Sequence, residues 1–187
     1  LVELVEHAVR IDDETKLTVL EPNILREKVV KIVEVAVLGD EPNRSVARWM
    51  IRECALESGV FPASIHDFYV ARGRGEIRDD FTVPAINLRF IPFYAAKAVF
   101  RACNRLEAKA VLFEIARSEM GYTDQRPTEY TSSILGAGIA EGYTGPVFIQ
   151  GDHFQVSPKR YAENPDAEIQ AVKDLTQEAI AAGYFNI

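Results

Sequence analysis

Only two cysteines, Cys54 and Cys103, occur in the 187 residues, and neither belongs to a metal-spacing motif. That scarcity excludes a disulfide-stapled secreted scaffold and a cysteine-based zinc module. Both thiols are expected to be reduced and buried, as in a cytoplasmic protein. Positive charge is also in deficit: 21 Lys and Arg face 28 Asp and Glu, for a net charge of −7. No basic footprint for nucleic acid and no polybasic membrane patch is compatible with that balance. No apolar run approaches the ~20 residues needed to span a bilayer. The opening LVELVEHAVRIDDE lacks the basic start, apolar stretch and cleavage site of a signal peptide. No segment repeats at a fixed period, which excludes a helical solenoid. The chain is 48% hydrophobic and 26% charged with mean hydropathy −0.06, so it is globular and able to bury a core. With no Met before Leu1 and a last stretch, AAGYFNI, that begins a strand, the polypeptide is expected to continue beyond Ile187.

Residues 1–80 read as a helical N-terminal extension. PNILREKVVKIVEVAVLGD carries an apolar stripe of Ile24, Leu25, Val29, Ile32, Val33, Ala36 and Val37, stopped by Gly39. PNRSVARWMIRECALESG predicts a second helix with a face of Val46, Trp49, Met50, Cys54 and Leu56. PASIHDFYVARGRGE predicts a third, with Ser64 as N-cap. His7 and His66 fall in this region and are assigned no chemistry.

From Phe81 the rhythm changes to an apolar β-like run followed by a helical segment, three times over. The units are FTVPAINLR with YAAKAVFRACNRLE, KAVLFEIARS with PTEYTSSILGAGIAEG, and GPVFIQGDH with DAEIQAVKDLTQEAIAAG; YFNI opens a fourth strand. Such alternation predicts a parallel sheet of right-handed βαβ units. A doubly wound sheet and a (β/α)8 TIM barrel both satisfy it. A dinucleotide-binding sheet carries a glycine-rich turn after its first strand, but AINLRFIPF has no glycine, and Gly73 and Gly75 precede the strands. The expected fold is therefore α/β, the N-terminal part of a TIM barrel over residues 81–187, preceded by the helical extension.

In barrels the working residues stand where strands run out into the loops. Those positions hold Asn87 and Arg89, then Glu114, Arg117 and Ser118, then Gln150, Asp152 and His153. Glu114 is expected to pair with Arg89 or Arg117. A carboxylate ending an apolar strand costs several kcal/mol unless compensated, so Asp152 with His153 is the pair most expected to do chemistry. Gly151 would permit the bend that lets both neighbours face one site.

VPAIN on the first strand, GDH ending the third and AIAAGYFNI leading into the fourth resemble the class II, metal-dependent fructose-bisphosphate aldolases, over about residues 81–187. The resemblance implies that His153 ligates a divalent metal, usually Zn2+, and that Asp152 is the acid/base on the hydroxyl beside the breaking carbon–carbon bond. It implies that Asn87 positions the substrate, a phosphorylated sugar; Glu114 and Gln150, read from the strand ends, are expected to bind it as well. The serine that the family offers just past its second strand aligns with Ala116, and Ser118 stands two residues later as the phosphate contact. Only one metal ligand lies in this chain; the others would come from later strands. A homo-oligomer is expected. A sugar-phosphate epimerase or isomerase on the same barrel, or a non-catalytic assembly subunit, are the alternatives.

Overall fold

The computed structural model describes residues 1–12, 16–78, 80–108 and 110–187. A 3-10 turn at Val2–Val5 leads into an antiparallel hairpin, β1 (Val9–Asp12) with β2 (Lys16–Val19). Two helices follow, α1 (Pro22–Leu38) and α2 (Asn43–Glu57), then strand β3 (Val60–Ala63) and a short helix α3 (His66–Gly73). Strand β4 (Ala85–Asn87) then pairs through helix α4 (Pro92–Leu106) with β5 (Leu112–Ala116). After α5 (Arg117–Thr123) and α6 (Pro127–Glu141) comes β6 (Gly145–Asp152), followed by α7 (Pro158–Glu163) and α8 (Pro165–Ala182).

The N-terminal 80 residues are thus not wholly helical. They contribute the hairpin and also β3, which joins the main sheet in the order β3-β6-β5-β4, all parallel. β3 escaped the helical reading because Pro62 and its four-residue length give little signal. Proline is tolerated there because β3 is an edge strand. The α1 stripe is buried as read, at Leu25, Val29, Ile32, Val33 and Ala36. On α2 the buried face is Ala47, Met50, Ile51, Cys54 and Ala55, while Val46 and Leu56 are exposed. Those five residues follow the i, i+3, i+4, i+7, i+8 spacing of one helix face, and the alternative set, although bulkier, does not.

Strands β4, β5 and β6 pair in chain order, and α6 packs between α4 and α8, so successive crossover helices lie side by side. The product is an α/β protein with a four-strand parallel sheet flanked by helices, plus a small antiparallel hairpin. Its main core lies between sheet and helices. There Phe100 of α4 meets Phe113 of β5 at 5.1 Å between ring centroids and Tyr143 at 4.7 Å. Two α6 glycines make the close approach possible: a Cβ on Gly136 would lie 2.5 Å from Val33, and one on Gly138 would lie 3.0 Å from Val60. A smaller cluster of Ile65, Leu112 and Phe148, with Phe68 packed against it, involves the other side of the sheet. Cys54 and Cys103 are buried thiols, and burial pushes Cys54 up to about 12. Among the described residues no helix is long and apolar enough to cross a membrane.

Candidate functional site

The strands carry the same punctuation near their C-terminal ends: an apolar residue, then a polar one, as in Ile86-Asn87, Phe113-Glu114, Ile149-Gln150 and Phe185-Asn186. Pairing places the polar members opposite one another. Asn87 stands against Glu114, Glu114 against Gln150, and Gln150 against Asn186 through an isolated parallel bridge. Because side chains alternate along a strand and registered neighbours share a face, the four form one polar row across the sheet. A level below, Leu112 and Phe148 are apolar and buried; a level above, Ala116 stands against Asp152.

Within the row Gln150 Nε2 donates to Glu114 Oε2 at 2.5 Å, and Ser64 Oγ donates to Asn186 Oδ1 at 3.1 Å. Asn87 Nδ2 reaches across β5 to donate to Asp152 Oδ2 at 3.1 Å; the intervening strand offers only the methyl of Ala116 at that level. Asp152 Oδ1 lies 3.1 Å from His153 Nε2. The five groups Asn87, Glu114, Gln150, Asp152 and His153 are therefore brought together by these pairings and contacts. Asn87 Oδ1 and Asn186 Nδ2 are buried and have no hydrogen-bond partner among the described residues. Leaving such an atom unpaired costs about 1–3 kcal/mol, so both are open to a hydroxyl or water.

The bend that turns Asp152 and His153 toward one another is made at His153 itself, with φ 54°, rather than at Gly151. The glycine has a different role: a Cβ there would strike the Phe154 ring at 2.7 Å. The His153 side chain is 73% exposed and that of Asp152 25%.

Glu114 does not pair with Arg89 or Arg117. Those cations go to carboxylates that were not singled out in the sequence. Arg89 Nε donates to Glu119 Oε1 at 2.5 Å, and the backbone N–H of Ala116 donates to Glu119 Oε2 at 2.8 Å. Burial works to raise Glu119, but hydrogen bonds from Ala116, Asn87 and Arg89 outweigh it and hold the carboxyl below its usual value. Arg117 donates to both oxygens of the buried Glu168 on α8, and to the carbonyl of Gln155 at 3.0 Å. The N–H of Ser157 also donates to Glu168, at 2.7 Å. This ion pair ties the loop after β6, which carries His153, to α5 and α8. Glu119 had one sequence signal, a glutamate three residues past the end of a strand, where it can cap the following helix; Glu168 had none.

Arg117 and then the Ser157 N–H lower Glu168 to about 2. A depressed carboxyl stabilises the fold above its unfolded value near 4.5, and that contribution disappears as pH falls toward 2. Glu168→Gln is therefore expected to be less stable than the parent at pH 6, with the gap narrowing between about pH 5 and pH 2. Urea midpoints at pH 6, 4 and 3 check this; a gap equally wide at pH 3 would assign the effect to packing instead of charge.

Ser118 lies in α5, exposed, rather than at the end of β5. It borders a cleft of about 820 Å3, shared with His153, Arg117, Arg126 and Arg160, beside the polar row. His153 lines this cleft and also contacts Asp152, which accepts from Asn87 of the row. As a set of metal donors the arrangement is incomplete. Among the described residues no group of three or more His, Cys, Asp and Glu side chains converges, and a catalytic zinc takes about three protein ligands. One exposed imidazole beside a carboxylate already engaged by Asn87 does not hold Zn2+ by itself.

Fold and site together define an α/β protein whose polar groups gather at the C-terminal ends of parallel strands, the place where ligands meet such sheets. No family model matches the chain, and neither a curated protein nor a solved structure matches it significantly.

Proposed function

We propose that this chain forms the first strands of a class II aldolase barrel and carries the hydroxyl-binding and proton-transferring part of a site for a phosphorylated ketose such as fructose 1,6-bisphosphate. The observation that carries this reading is the registered row Asn87, Glu114, Gln150 and Asn186 with the Asn87–Asp152–His153 chain of contacts directly above it. Amide and carboxylate groups spaced one strand apart, about 4.8 Å, suit the successive hydroxyls of an extended sugar. Helices lying side by side along β4, β5 and β6, which pair in chain order, support a barrel winding over a doubly wound one, with the polar row on its inner face; β3, placed beside β6, departs from that order. Two buried thiols and the acidic balance fit a cytoplasmic setting.

In aldol cleavage the proton of the hydroxyl next to the breaking bond is removed and that oxygen becomes a carbonyl. The electrons of the carbon–carbon bond pass to the ketone fragment as an enediolate. Asp152 is the carboxylate that takes this proton, and the Asn87 amide fixes which way it faces. Asn87, Glu114 and Gln150 bind hydroxyls. The Zn2+ implied by the resemblance would need ligands besides His153.

Side-chain amide signals of Asn87, Gln150 and Asn186 are expected to shift saturably on titration with fructose 1,6-bisphosphate, and incubation is expected to release triose phosphate. An isomeric sugar phosphate as sole product would make the protein an epimerase. Unshifted amides and no product would overturn the reading.

A further inference from the structure

Glu119, only 7% exposed, places a carboxylate where β4 and β5 run out. One oxygen accepts from the backbone N–H of Ala116 at 2.8 Å and the other from Arg89 Nε at 2.5 Å. Ala116 is the residue opposite Asp152, and it is over Ala116 that the Asn87 side chain passes to reach that aspartate. Arg89 lies two residues beyond Asn87. Both donors therefore hold the Glu119 carboxyl beside the Asn87 amide, which donates to it as well. Against its burial these three donors keep Glu119 ionised.

An ionised carboxylate accepts hydrogen bonds and cannot donate one, whereas a carboxamide NH2 carries two protons. Asp152 takes one of the Asn87 Nδ2 protons, at 3.1 Å. Without Glu119 the second proton would have no such partner, and the amide would be free to turn over. With Glu119 in place, a reversed amide would set its oxygen against two negative charges. The orientation that remains leaves Asn87 Oδ1 buried and without a donor among the described residues. We propose that Glu119 is a positioning residue of the site: acting through Asn87, it keeps Nδ2 on Asp152 and reserves Oδ1 for a group that donates, a sugar hydroxyl rather than a carbonyl or phosphate oxygen. The hydroxyl rests on the ketose reading above; the orientation of the amide does not.

Glu119→Gln is the test, read by the side-chain amide signals of Asn87, Gln150 and Asn186. The substitution keeps the shape and one oxygen for the Ala116 N–H, but replaces the other oxygen with an NH2 group that cannot accept. In the ligand-free protein the Asn87 signal is expected to move, while those of Gln150, held by Glu114, and Asn186, held by Ser64, stay in place. A general loosening of the fold would move all three and would overturn the specific role. Half-saturation with fructose 1,6-bisphosphate is expected to need about tenfold more sugar, the scale of one lost hydrogen bond. In the parent protein the two Nδ2 protons of Asn87 are expected to give nuclear Overhauser contacts, one to Asp152 and the other to Glu119, a measurement that stands whether or not the variant folds. An Asn87 signal unmoved by the substitution, or Nδ2 protons without a contact to Glu119, overturns the proposal. A moved signal with unchanged half-saturation overturns the reservation of Oδ1 for a hydroxyl. A moved signal in a protein whose parent binds no fructose 1,6-bisphosphate supports the positioning by Glu119 and overturns the ketose reading instead.

Discussion

Asp152→Asn is expected to lower kcat for fructose 1,6-bisphosphate cleavage by about 10²–10⁴-fold, the usual range for loss of a positioned acid/base, with KM and fold little changed. The substitution keeps the size of the side chain, and its carbonyl oxygen can still accept from Asn87 Nδ2, which reaches Asp152 Oδ2 at 3.1 Å in the parent. What it removes is the capacity to take a proton. Asp152→Ala is a harsher comparison, since it leaves both Asn87 and His153 without the carboxylate they now share. A kcat for Asp152→Asn within about threefold of the parent, in a protein whose side-chain amide signals still respond to ligand, would separate binding from this chemistry. That result would remove Asp152 from the proton-transfer role.

Phe100→Ala is expected to destabilise the protein by about 3–5 kcal/mol, the range for emptying a buried aromatic site. The ring is fully buried, meets Phe113 and Tyr143, and lies where a Cβ on Gly138 would sit 3.6 Å away. It therefore joins α4, β5 and α6, and neighbours that are themselves rigid aromatic rings have little freedom to close the cavity. Urea denaturation with an unchanged slope is the measurement. The β5 residue after Phe113 is Glu114, so the Gln150 amide signal should shift as well. A loss under about 1.5 kcal/mol would mean that the core collapses around the missing ring.

The βα units were legible because their periodicities are strong and glycine and proline punctuate them. The helices α4, α6 and α8 begin at or near Pro92, Pro127 and Pro165, and Gly142 and Gly183 close the last two in the left-handed conformation. β3 and the hairpin were not legible, because four-residue strands carry too few alternations to outweigh adjoining helical patterns. Asp152 and His153 stood out through chemistry unusual for an apolar strand end. Glu119 and Glu168 did not, since a glutamate on a helix looks the same in sequence whether it faces water or, as here, a buried arginine contact.

For the three βα units the sequence by itself determined which stretches are strand, which are the long crossover helices and which strand ends are polar, because those follow from local spacing and backbone preference. Which polar ends share a row, which carboxylate each arginine takes, and where the chain bends to bring His153 onto Asp152 were decided by the tertiary structure. Register and ion pairing depend on distances between segments far apart in sequence, such as Asn87 and Asp152. No local pattern encodes those distances; they are set only when the helices pack and fix the strands side by side.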